Sequence, residues 1–259
     1  VSFYKCYFLD IHILNKTPFL SIAQTYQVDI ILCSFERAFV LPQGTYILPA
    51  SSSIILISKV KYFIVKNSKF KNNFLTVGGI TLTHLYSTFI TKTAFLANSL
   101  KSNRSLIFQE DSDMIRILSC KFSGNIIEKD VSITWVQNVS KIIVIGAQIF
   151  DNKAFSSGDG FKFGHFEQAY ILDSSITQNM AGHSGGAMYL YMGLQADIVN
   201  CKILDNRASI SGGGLFIQDI QNVTCTNSSI MHNMAGTQGA GLYLNKLGTV
   251  KIYTCLIHE

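Results

Sequence analysis

Small, apolar and polar positions recur along this chain at a fixed interval. Residues 174–190 read SSITQNMAGHSGGAMYL. The pattern returns as CKILDNRASISGGGLFI from Cys201 and as SSIMHNMAGTQGAGLYL from Ser228, a period of 27 residues (201 − 174 and 228 − 201). Followed backwards, the register reaches Ala147, Cys120 and Thr93, then Ser68 after a spacing of 25, Cys33 after 35 and Cys6 after 27; Cys255 opens a further unit. Three columns hold along it. The first is small: Cys, Ser, Thr or Ala. The third is Phe8, Phe35, Phe70, Phe95 and Phe122, then Ile149, Ile176, Ile203, Ile230 and Ile257. The sixth is Asn in seven consecutive units: Asn73, Asn98, Asn125, Asn152, Asn179, Asn206 and Asn233.

Each unit predicts three short strands. The first carries the small and aliphatic columns. The second follows the glycines, as in ITWV from Ile133, AMYL from Ala187 and GLFI from Gly214. The third is the run IRIL from Ile115, IIVI from Ile142 or VTCT from Val223. These runs are rich in β-branched and aromatic residues and alternate with period two, as half-buried strands do. A repeat of this length predicts an all-β, right-handed parallel β-helix of about nine rungs, each stacked on the last at about 4.8 Å. A β-sandwich is the competing architecture, but it has no need of identical residues every 27 positions. One domain over residues 1–259 is expected, with a loop or hairpin insertion at 38–60, where VLPQGTYILPASSSIIL breaks the period.

The columns have physical reasons. Stacked Phe and Ile exclude water along the axis. Asn can adopt left-handed turn geometry, and stacked amides can hydrogen-bond from rung to rung, so Asn125, Asn152, Asn179, Asn206 and Asn233 are expected to form a structural ladder. Gly185 with Gly186, Gly212 to Gly214 and Gly239 with Gly241 share one register and mark a corner.

Composition narrows the picture. Charged residues make up only 14% of the chain and hydrophobic ones 48%, too apolar for disorder. The net charge of +5 is scattered, and nucleic acid is not an expected partner. No apolar stretch approaches the roughly 18–20 residues that cross a bilayer as a helix, so membrane insertion by this segment is not expected. The opening VSFYKCYFLDIHIL lacks an initiator Met and a signal-peptide pattern, and the chain reads as a fragment of something longer. None of the six cysteines forms a CxxC pair and the histidines share no column, so no metal site and no cofactor is expected. Cys6 and Cys33 fall on adjacent rungs, near enough for a disulfide, although Ser, Thr and Ala at equivalent positions point to a demand for small volume. N-glycosylation sequons at Asn15, Asn103, Asn138, Asn222 and Asn227 favour a secreted route.

Candidate chemistry follows from the register. On the second strand an outward column runs Phe108, Trp135, Lys162, Tyr189, Phe216, Tyr243. Exposed, stacked aromatics would give a flat strip suited to a sugar ring or to another protein or domain, so Trp135, Tyr189, Phe216 and Tyr243 are the binding candidates. The plain alternative is a column that only steadies the sheet or lies under a loop. An enzyme acting on polysaccharide would need clustered carboxylates; the fifth column offers Asp151, Asp205 and His232, and a second grouping Asp159, Lys162 and His183. The glycines of GDGFKFG, residues 158–164, belong to the repeat and do not predict a phosphate loop.

ITQN before SGGAMYL, ILDN before SGGGLFI and IMHN before QGAGLYL resemble the repeats of bacterial polymorphic outer-membrane proteins, and of large protist surface proteins with pectate-lyase-like β-helices. The resemblance is closest from Ala147 onwards and rests on the [FI]xxN half alone from Ser68. It implies an extracellular or cell-surface scaffold, structural or adhesive, without a catalytic site. Its partner would be a glycan or another surface protein. A polysaccharide-acting enzyme or glycan-binding module on the same fold is the alternative.

Overall fold

The structure is a computed structural model that describes residues 1–13, 18–40, 53–102, 104–128, 131–155, 157–158 and 160–258. Among them are strands and no helix. All the paired strands are parallel, and the chain climbs as a solenoid of about nine rungs through sheets of 14, 10 and 9 strands. Equivalent residues sit one above another: Ile149 pairs with Ile176, Ile176 with Ile203, and Ile203 with Ile230.

The partition of each rung differs from the three strands expected. The second and third runs are one strand of 12 residues in the middle rungs: Ile107–Leu118, Thr134–Ile145, Phe161–Leu172, Met188–Val199 and Leu215–Thr226. Each bends at its fifth residue, where Asp111, Asn138, His165, Met192 and Asp219 have φ of +49° to +53°. The third sheet is made instead of two-residue strands after the Asn column, such as Met180–Ala181 and Arg207–Ala208. Two residues carry too little periodicity to be seen in a sequence.

The insertion at 38–60 is also narrower than its boundaries. Phe39–Val40 pairs in the short sheet, and Ser53–Ser58 lies between Leu20–Ala23 and Gly78–Thr83 in the long one. Ile54, Ile55 and Ile57 are buried, so this apolar run belongs to the rung. Residues 41–52 of the expected loop lie outside the described residues, as do Asn15 and Asn103.

The core is a column of side chains. Phe8, Phe35, Phe70, Phe95 and Phe122 stack with successive centroid distances of 4.5, 4.7, 4.9 and 4.8 Å, close to the rise of a rung. Beside them the Asn side chains form a closed ladder. Asn152 Nδ2 donates to Asn179 Oδ1 at 2.9 Å and to the Phe122 carbonyl at 3.1 Å, while Asn179 Oδ1 also accepts from the Asn152 backbone N–H at 3.2 Å. The same pattern runs from Asn73 to Asn233. The left-handed corner falls one residue earlier than expected, on the fifth column: Asp151, Gln178, Asp205 and His232 have φ of +53° to +57°. An Asn whose amide must point between rungs keeps an ordinary backbone, and its exposed predecessor takes the turn.

Candidate functional site

The outward column exists, but it is not an open strip. Tyr189 stacks on Phe216 and Phe216 on Tyr243, each at 4.6 Å, and Phe108 meets Trp135 edge-on at 5.3 Å. Phe108 and Phe216 are buried, and Trp135, Tyr189 and Tyr243 are half-buried. Two features cover them. The Arg104 guanidinium lies 4.9 Å from the Phe108 ring centroid. The glycine corners fold back over Tyr189, Phe216 and Tyr243: Gly212, at φ +64°, sits so close that an added Cβ would be 2.9 Å from that of Phe216. A side chain at this corner would collide, and a positive φ favours glycine.

Lys162 occupies the middle of the column. Its Nζ lies 4.6 Å from the Trp135 ring centroid and 5.9 Å from those of Tyr189 and Tyr191. Burial holds this ammonium below the ordinary lysine range, while the three ring faces favour the cation. Burial also raises the Tyr189 and Tyr191 phenols above their usual value. The Trp135 side chain offsets part of the rise at Tyr191.

Tyr191 is a site residue that the sequence reading missed. It belongs to the next outward column, Gln137, Gly164, Tyr191, Gln218, Asn245, which flanks the aromatics along the same strands. The signal was available: these positions are also 27 residues apart, and polar amides recur among them.

Further along the strands, the bend opens a groove of about 480 Å³ lined in part by Asn138, His165, Glu167, Met192, Leu194 and Asp219. Apart from Asn138, named only as a sequon, none of these was picked out from the sequence, because the bend that gathers them was not foreseen. Among the described residues no group of three or more His, Cys, Asp or Glu is placed to hold a metal ion.

The weak catalytic alternative falls on the corners of the solenoid. Asp151, Asp205 and His232 are exposed, and each is the left-handed residue of its corner. Of the second grouping, Asp159 lies outside the described residues and His183 is exposed, while Lys162 faces the aromatic column. All six cysteines are free thiols.

The family model for the right handed beta helix region matches residues 105–259. More than half of the chain is covered, and the chain belongs to that family. No curated protein and no solved structure matches it.

Proposed function

We propose that this β-helix is a structural and adhesive scaffold of a surface or secreted protein, and that it binds glycan through the face around Lys162. One observation carries the reading. The stacked rings of Tyr189, Phe216 and Tyr243 run beside a column holding Gln137, Tyr191, Gln218 and Asn245 on the same rigid strands. The open edges of Tyr189 and Tyr243 suit the apolar patches of a sugar, and neighbouring amides and hydroxyls suit its polar rim. A secreted or surface setting is supported by the sequon residues Asn138, Asn222 and Asn227, which are exposed, and by the resemblance to polymorphic outer-membrane protein repeats and pectate-lyase-like surface proteins. Binding of the purified chain to a glycan array tests the reading. Tyr189→Ser with Tyr243→Ser is expected to weaken retention at least about tenfold, with the β-sheet circular dichroism unchanged. Equal retention by the folded variant would refute it.

A polysaccharide-acting enzyme is the second reading, favoured by Glu167 and Asp219 in the groove at the bend. Incubation with plant, algal and bacterial polysaccharides is expected to yield no new reducing ends and no unsaturated product. Product formation that disappears in Glu167→Gln and Asp219→Asn would replace the adhesive reading with this one.

A further inference from the structure

The first-column side chains share one geometry. Cys120 Sγ donates to the Leu118 carbonyl at 3.4 Å and to that of Ile90, in the rung below, at 3.3 Å. Cys201 does the same with Val199 and Ile171, both at 3.3 Å, and Cys33 with Ile31 and Phe3 at 3.3 and 3.4 Å. Each of these thiols therefore reaches down to one particular ladder of inward residues. That ladder begins at Phe3 and continues through Ile90, Ile117, Ile171 and Ile198 to Cys225 and Ile252. Only at Cys225 does it hold a thiol. The first-column residue above Cys225 is Cys255. Cys255 Sγ keeps its bond to the Tyr253 carbonyl at 3.4 Å and lies 3.2 Å from Cys225 Sγ.

We propose that Cys225 and Cys255 form a redox pair that closes to a disulfide and staples their two rungs together. The pairing is a product of register: one Cys stands where the column calls for a small residue, the other where the ladder below it calls for an apolar one. Closure needs the sulfurs to approach from 3.2 Å to a bond of about 2.05 Å, a movement within side-chain reach. The oxidant is a small disulfide such as oxidised glutathione. Cys255 is partly exposed and Cys225 is buried, so Cys255 reacts first. Its thiolate attacks one glutathione sulfur, the glutathione S–S bond breaks, and one reduced glutathione leaves. The Cys225 thiolate then attacks Cys255 Sγ, the mixed disulfide breaks, and the second glutathione leaves. The two thiol protons end on the two reduced glutathiones. Burial, which remains once Cys255 carries glutathione, pushes the Cys225 thiol up. The second step is therefore expected to accelerate as pH rises.

The test uses Cys6→Ser, which removes the other adjacent-rung cysteine by a residue the column already accepts at Ser68, Ser174 and Ser228. The chain is treated with oxidised glutathione and its thiols are counted after denaturation. Five thiols are expected to fall to three. A tryptic peptide joining Cys225 to Cys255 is expected in the mass spectrum, since Lys246 and Lys251 lie between them. In Cys6→Ser with Cys255→Ser the four remaining thiols are expected to stay free. Five free thiols after treatment, glutathione left on Cys255, or a link to any other cysteine would overturn the proposal.

Discussion

The residue before each buried Asn takes a positive φ, and that explains the composition of the fifth column. Asp151, Gln178, Asp205 and His232 are exposed, and polar side chains of this kind tolerate the left-handed region better than β-branched ones do. A carboxylate recurring every second rung needs no chemistry to account for it. The Asn ladder itself was legible, because only stacked amides require the same polar residue inside an apolar core. Its cost when broken can be stated. Asn179→Leu leaves the Asn152 backbone N–H and Nδ2 without the acceptor they share, in a site closed to water. A loss of about 3 kcal/mol is expected in urea unfolding. For Tyr189 and Tyr191, burial favours the neutral phenol in the folded state. Their contribution is complete below the ordinary value of 10.0 and is lost as pH rises from there through the raised values. An ultraviolet tyrosinate titration is expected to show two late phenols, and unfolding in the same alkaline window should become easier.

At the scale of the element, the third column changes from Phe to Ile between Phe122 and Ile149 while the core stays filled. Phe122 shares its rung with Thr134 and Val136, whereas Ile149 shares its rung with Phe161 and Phe163. Volume lost on one wall is replaced from the opposite wall, and Phe161 reaches back to Phe122 edge-on at 5.8 Å. Interiors are packed closely enough to require such exchange. Phe122→Ala opens the column at this junction and is expected to cost about 3–5 kcal/mol in thermal or urea unfolding. The long strands show the limit of pattern reading. Their alternation is the same on both sides of the bend, and a single left-handed residue such as Met192 has no sequence mark. Two strands were therefore expected where one bent strand runs, and the groove at the bend went unseen.

For the whole molecule, the described strands pair with their counterparts in the adjacent rungs, so the rungs behave as repeating units of a one-dimensional stack. Deleting residues 174–200, one complete period, is expected to leave a folded β-helix whose ladders rejoin Asn152 to Asn206 and Ile149 to Ile203. Deleting 174–186 instead throws every later column out of register. Circular dichroism and cooperative unfolding of the two chains should separate these outcomes, the first retaining its transition and the second losing it.

The sequence alone determined the period, the stack and the columns that face the axis, because a core built of identical rungs must repeat its side chains. It also carried the pairing of Asn with Asn and of Phe with Phe, which needs nothing beyond the rise of one rung. Tertiary structure decided what the outer surface offers. Glycine corners fold over the outward rings, so Phe216 is buried and Tyr189 and Tyr243 are half-open, although all three occupy one column of the sequence. Bends bring Glu167 and Asp219 to one groove, and register brings Cys255 onto Cys225. These depend on how far a corner closes and where a side chain reaches across it, quantities that periodicity does not contain.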